Sequence, residues 1–375
     1  MCSPEVKSFL KSLPKCEHHM HLEGALTPEV LFTLASKNNI TLPSDDPAFA
    51  SPGRLLQRYD NFTSLDDFLH YYYIGMSVLI DASDFESLAW DYFKHANADG
   101  VVHAEVSKQC PNFDMAPRVG VYADYSQLFF DPQAHLCRGV SYDIILTGFR
   151  AARKRAQTEF GITSELICCF LRHLPVPECH STFNLPEIQD SFHRGDILGI
   201  GLDSSENGFP PENFEQIYKA ATDLGLRRTA HAGEEGPAEY IKNALDVLGV
   251  ERIDHGIRLA EDLDLLDRVA KSGTLLTVCP MSNVLLRCVT KVSELPIRKF
   301  INSGVKFSIN SDDPAYFGNN YILDNYVAVQ EAFDLTTVEW ETICRNAIEG
   351  SWCCRSRKDE MLLKLKEVVE GLAHS

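Results

Sequence analysis

The feature that most limits what this chain can fold into is an alternation. Eight short runs, rich in apolar and β-branched residues, recur along it with helical stretches between them. They are Cys16–His21, Val101–Val106, Leu166–Leu171, Leu198–Leu202, Arg228–His231, Arg252–His255, Thr274–Val278 and Lys306–Asn310. Several are apolar almost throughout, as a parallel strand covered on both faces must be. Eight β/α alternations predict an α/β fold of the TIM (β/α)8 barrel type with extra helices. Barrels of this kind run from roughly 200 to over 400 residues, so residues 1–375 are read as a single domain.

Punctuation between the runs supports this reading. Thr27 followed by Pro28 predicts a helix start, with Thr27 as N-cap and Pro28 in the first turn. A second helix is predicted from Ser64 to Ile80, where aromatics recur at helical spacing. Residues 38–60, with their Pro and Gly, read as a connecting loop. Residues 107–128 (SKQCPNFDMAPRVGVYADYSQL) lack clean periodicity and interrupt an apolar run between AEV and FFDPQAH; they read as an insertion.

Composition removes several function classes. The net charge is −18, whereas phosphate recognition needs clustered Lys and Arg, so neither nucleic acid nor an anionic membrane is expected as a partner. No stretch approaches membrane-spanning length, and the N-terminus lacks the apolar run of a secretory signal. The 12 cysteines are scattered and form no CxxC pair, which predicts reduced thiols in the cytosol.

Four short motifs carry chemistry. In His19-Met20-His21, side chains at i and i+2 of a strand share a face, so both imidazoles can bind one metal, while His18 points the other way. His231-Ala232-Gly233-Glu234 adds a third imidazole at a strand end and a carboxylate in the following loop, free to shuttle a proton. Ile253-Asp254-His255-Gly256 adds another strand-end imidazole, able to accept a proton from water. Asn310-Ser311-Asp312-Asp313-Pro314 closes the last run with adjacent carboxylates, which repel unless something positive lies nearby. Taken singly, each motif is equally met by a structural side chain: a core histidine, a loop cap, an N-cap and turn. Together they fall at the carboxyl ends of predicted strands 1, 5, 6 and 8, the face on which barrel enzymes build their sites. Three imidazoles and a carboxylate with a position left for water suit a catalytic zinc, which lowers the pKa of bound water from about 15.7 to about 7.

With these residues in view, PKCEHHMHLEGAL, TAHAGEEG, RIDHGIRL and FSINSDDPAYFG resemble the adenosine/adenine deaminase family of metal-dependent hydrolases, over about residues 14–350. HLEGAL, GLDSSENGFPP, HAGEEGP and SINSDDPAYFG look like its adenine deaminase branch. The resemblance implies a TIM barrel with one Zn2+ per subunit, held by His19, His21, His231 and Asp312. It also implies that Glu234 protonates purine N1, that His255 orients and deprotonates the attacking water, and that Asp313 contacts the N7 side. The reaction implied is hydrolytic deamination of adenine to hypoxanthine and ammonia, a purine-salvage step in cytoplasm or nucleus, with a small-molecule purine as partner.

Substrate choice is read from finer features. Glu23 follows the HxH pair where a ribose would lie in the family, and is expected to fill or polarise that space and so favour the free base. Ser204 and Glu206 are expected to contact the N3/N9 edge. Three alternatives stand beside this reading: adenosine or an N6-substituted adenine on the same site, a different metal hydrolase on the same barrel, and a non-catalytic binding protein. A two-metal hydrolase would carry a bridging Lys at the strand-4 end, where Gly201-Leu202-Asp203 stands instead.

Overall fold

The computed structural model describes residues 2–101 and 126–373. Among these, seven parallel strands form one sheet in chain order: β1 (Ser126–Phe130), β2 (Ser164–Leu171), β3 (Gly199–Asp203), β4 (Arg227–Ala232), β5 (Arg252–His255), β6 (Leu275–Val278) and β7 (Phe307–Ile309). Helices lie between successive strands, as right-handed parallel crossovers require. No helix among the described residues is long and apolar enough to cross a membrane.

The predicted first strand, Cys16–His21, closes the ring without becoming a regular strand. It bridges Met20 to Asp312 past the end of β7, and His21 to Phe129 of β1. The His21 N–H donates to Asp312 O (3.0 Å), the Asp312 N–H to His19 O (3.1 Å), and the Phe129 N–H to Met20 O (2.9 Å). Between these bonds side chains replace the ladder. The His18 N–H donates to Asn310 Oδ1 (2.8 Å), and the Ser311 N–H to Glu17 Oε1 (3.0 Å). Regular pairing is therefore broken where polar side chains take the backbone donors, while the barrel still closes.

Predicted strands three to eight match β2–β7 within two residues. The second falls outside the described residues but for its first. Of Val101–Val106 only Val101 is described, bridged to Lys15, and β1 takes the strand position further along. Most of the predicted insertion 107–128 lies outside the described residues, and its last three, Ser126–Leu128, belong to β1. Register shows where the surplus is. Lys15 to His21 is a step of 6 residues, but their partners Val101 and Phe129 are 28 apart, 22 more than parallel pairing needs.

Two other local expectations can be compared. Helix Pro28–Asn38 starts as predicted, with Thr27 Oγ1 accepting from the Val30 N–H (3.3 Å). Residues 38–60 are not all loop: Ser51 caps a helix at Pro52–Tyr59. A Ser-Pro start suffices for two helical turns when Leu55 and Tyr59 can be buried on one side.

Alternation along the strands separates two cores. Leu166, Cys168 and Phe170 of β2 join the large cluster shared with the helices. Ile167 and Cys169 pack instead with Phe129 in a separate small cluster inside the barrel. The Phe129 ring meets His19 edge-on at 4.8 Å, so this apolar plug supports the histidines at the barrel mouth.

Deleting residues 107–128 joins Val106 directly to Phe129 and makes the two pairing steps equal. Closing an excursion of 22 residues costs about 3 kcal/mol in chain entropy. The shortened protein is therefore expected to be soluble, with a urea midpoint at or above that of the full chain. A deletion that yields only aggregate would show that the surplus residues are part of the fold.

Candidate active site

The barrel brings the predicted polar residues to one mouth. His19 and His21 come from the closing segment, His231 from β4, His255 from the end of β5, and Asp312 and Asp313 from just beyond β7. Glu234 sits in the loop after β4, where Gly233 turns the chain with φ +74°. All of these side chains are buried. His19 Nε2 lies 3.0 Å from Asp312 Oδ1, His21 Nε2 3.6 Å from the same oxygen, and His255 Nε2 3.6 Å from Asp312 Oδ2. Glu234 Oε2 is 3.5 Å from His255 Nε2. Ligand atoms of His19, His231, His255 and Asp312 lie within 4.8 Å of one another. His255 thus stands in the tightest group, while His21 turns Nε2 toward Asp312 and Nδ1 toward Asp131 and Asp203.

Backbone geometry at the mouth is unusual. Ser204, His255 and Asp312 hold φ of +72°, +58° and +66°. Such a conformation costs of order 1–3 kcal/mol per non-glycine residue and persists only where neighbours over-determine it. For Asp312 the neighbours are the paired backbones of His19 and His21. Gly24 allows the same crowding beside Asp313: a Cβ on it would lie 2.3 Å from Asp313 Oδ1 and 2.6 Å from its Cα.

A ring of partners orients the imidazoles. Thr229 and Thr277 hydroxyls donate to Asp254 Oδ2 (2.6 Å) and Oδ1 (3.0 Å). Thr277 has spent its only hydrogen on Asp254, so it accepts from His19 Nδ1, 2.9 Å away. That places the His19 proton on Nδ1 and leaves Nε2 a bare lone pair. Burial holds the His19 and His231 rings well below the usual imidazole pKa, and His255 down to about 3. Buried lone pairs on His19 Nε2 and Asp312 Oδ1 therefore face each other at 3.0 Å, and His19 Nε2 has no hydrogen-bond partner. This donor set fits a cation: neutral imidazole nitrogens and a carboxylate, with rings fixed from behind. The Asn283 side-chain amide lies 3.1 Å from His255 Nδ1 and its oxygen has no other partner; turned to present that oxygen, it fixes the His255 proton on Nδ1 and leaves Nε2 bare, as at His19.

The carboxyl groups divide by charge state. Burial, with Asp312 and Glu206 close by, raises Glu234 well above the usual range, which favours its protonated form. Burial beside Asp312 raises Asp313 in the same way. Burial beside Asp131 brings Glu23 to about 8, and burial brings Asp254 to about 7.

The site opens into a cleft with about 380 Å³ of unfilled space, part of it continuous with solvent. One wall is the helix Leu65–Met76, which contributes Leu65, Phe68, Leu69, Tyr72 and Tyr73. The other carries His21, His231, His255, Glu234, Asp131, Asp203, Asp312 and Asp313, and no Lys or Arg is among the described lining residues. A flat, partly aromatic wall facing acceptors and acids suits an uncharged aromatic heterocycle that carries N–H donors.

Three substrate contacts expected from the sequence meet different fates. Ser204 lines the cavity, with its hydroxyl between His173 Nδ1 (2.7 Å) and the Tyr73 hydroxyl (3.1 Å). Glu23 does not line it. Its Oε1 lies behind Asp131, accepting from the Asp131 N–H (3.3 Å) and pairing with His135 Nε2 (3.0 Å). Glu206 also lies behind the wall, accepting from the Gly236 N–H (2.5 Å) and the Glu234 N–H (3.5 Å) and facing Arg172 at 3.8 Å. Glu206 is held by two buried backbone donors and Glu23 Oε1 by one and by His135, so each shapes the frame and neither is among the cavity-lining residues. The sequence reading passed over Asp131, Asp203, Asp254 and Thr277. The first two had a signal, an Asp ending an apolar run in FFDPQ and in GLD.

Comparisons with known proteins agree with this geometry. The profile of the family described as adenosine deaminase matches residues 14–368. The adenine deaminase of Schizosaccharomyces pombe is 51% identical over 370 residues, covering 99% of this chain and 95% of the relative. The crystal structure of adenine deaminase from Arthrobacter aurescens superposes with a TM-score of 0.83 at 38% identity, covering 96% of this chain and 99% of the other. An amidohydrolase from Burkhoderia ambifaria, crystallised with bound Zn, also superposes with a TM-score of 0.83, at 24% identity, over 100% of this chain and 96% of the other.

If Asp254 orients His19 through Thr277 and His231 from 3.8 Å away, Asp254→Asn should weaken metal retention about 10–100-fold. Competition with a chromogenic chelator measures this, and unchanged retention would remove Asp254 from that role.

Proposed function

This chain belongs to the adenosine deaminase family and deaminates adenine, and we propose that it does so with one zinc ion held by His19, His21, His231 and Asp312. When bound, the metal supplies a hydroxide nucleophile at neutral pH. Net chemistry is addition of water at C6 and loss of ammonia, giving hypoxanthine.

The protein's own residues handle the protons. The protonated carboxyl of Glu234 donates to purine N1, which breaks the ring conjugation and makes C6 electrophilic. His255, neutral because burial lowers it, takes the proton of the attacking water through Nε2, the atom that faces both Glu234 and Asp312. That proton then leaves with the exocyclic nitrogen as the C6–N bond breaks, and the remaining hydroxyl proton returns to the Glu234 carboxylate as the C6 carbonyl forms. Asp313, held against Gly24, binds the N7 side, and the helix Leu65–Met76 covers the ring and excludes water. Ser204 supports the N3 edge from the cavity rim. Purine salvage in cytoplasm or nucleus suits the reaction, and the unpaired, fully buried thiols of Cys168 and Cys169 suit a reducing compartment.

The observation that carries this reading is Glu234. A carboxyl whose protonated form burial favours, 3.5 Å from an imidazole of the metal-competent cluster, is what acid catalysis at a ring nitrogen needs. Glu234→Gln is expected to keep its zinc and to lose ammonia release from adenine by about 10²–10⁴-fold. Metal analysis and an ammonia assay on one preparation check both halves. A variant that retains turnover would end the role of Glu234.

A further inference from the structure

The chemistry above leaves two carboxylates of the cavity wall without a task. Asp131 follows β1 and Asp203 ends β3; both line the cavity, at 1% and 3% exposure. Asp131 Oδ1 lies 4.0 Å and Asp203 Oδ2 3.8 Å from His21 Nδ1. Asp131 Oδ1, Asp203 Oδ1 and His21 Nδ1 are all buried without a hydrogen-bond partner. Leaving a buried acceptor unpaired is costly, and more so when it is charged.

The donors at hand fall short. The Tyr72 hydroxyl serves Asp131 Oδ2 at 2.9 Å. His21, with Nε2 turned to Asp312, has one N–H to offer two carboxylates. The Asp203 and Asp131 side chains also hydrogen-bond to each other, and Asp131 Oδ1, which no N–H donor reaches, keeps a lone pair for a ligand. Asp131 is the better held of the two. Its backbone N–H is fixed on Glu23, which His135 braces from behind, and its other oxygen is fixed on Tyr72.

We propose that Asp131 selects the free base: its Oδ1 accepts the imidazole-ring N–H of an unsubstituted purine, a hydrogen that an N9-substituted purine lacks. The inference rests on adenine deamination as the reaction and names the group that sets substrate class within it. A base without that hydrogen leaves Asp131 buried and unpaired, the situation in which a hydrogen-bonding site rejects an analogue most strongly.

The test compares adenine with 9-methyladenine on the zinc-loaded full chain. The wild-type protein should favour adenine in kcat/KM by about 10³-fold or more. Asp131→Ala should lower kcat/KM for adenine about 10²-fold, chiefly through KM, and bring the two substrates within about tenfold of each other. Simple steric exclusion of the methyl group would instead leave the variant's adenine kinetics unchanged, and that result overturns the proposal. Wild-type preference below tenfold overturns it without any variant. Two metal ions per chain, falling to one in Asp131→Ala, would make Asp131 and Asp203 cation ligands and also overturn it. No turnover of adenine by the wild type would be a failure of the assigned reaction, visible before any comparison is made.

Discussion

The site depends on one backbone exchange. Asp312 donates its N–H to His19 and receives that of His21, so the last strand and the first are joined at the residues that carry the chemistry. The exchange closes the barrel and holds Asp312 at a φ of +66° that it would not otherwise keep. It also sets the Asp312 carboxylate between two imidazoles of the neighbouring segment. Because side chains of Glu17 and Asn310 take the adjoining backbone donors, the closure is made of a few strong points and not a continuous ladder.

Charge balance explains much of what surrounds that joint. The cavity wall gathers Asp131, Asp203, Glu234, Asp312 and Asp313 with no cationic side chain among its described members. Such a set is stable only if some members stay protonated, a cation binds, and a ligand brings donors. All three fit what is seen. Glu234 and Asp313 are raised by burial and by each other's neighbours, the imidazoles are held neutral with a lone pair on His19 Nε2, and a purine supplies N–H groups. The same gathering of acids and neutral imidazoles favours a metal and a neutral, donor-bearing heterocycle as ligands.

Glu23 and Glu206 show how chemistry and support divide. Both are acidic residues in motif positions, and both were expected at the ligand. In the fold they accept buried backbone N–H groups, Glu23 behind Asp131 and Glu206 behind Glu234, and so hold the residues that do face the cavity. A carboxylate one layer back still bears on specificity, because it decides where the front carboxylate can point.

Sequence alone determined the alternation of strands and helices and, from it, the barrel. It also determined which strand ends carry His19, His21, His231, Glu234, His255 and the Asp312–Asp313 pair, since i, i+2 geometry and strand-end placement are local properties. What it could not contain is depth. Whether an acidic side chain reaches a cavity or is intercepted by a backbone donor depends on segments distant in the chain: Glu23 is intercepted by Asp131 and His135, more than a hundred residues away, while Asp254 reaches His19 through Thr277 of β6 and lies 3.8 Å from His231 Nδ1. The predicted second strand lies outside the described residues but for Val101, which pairs with Lys15. Tertiary structure decided these points because hydrogen-bond partners are assigned by proximity in space, and a buried polar group takes the nearest partner that closes its valence.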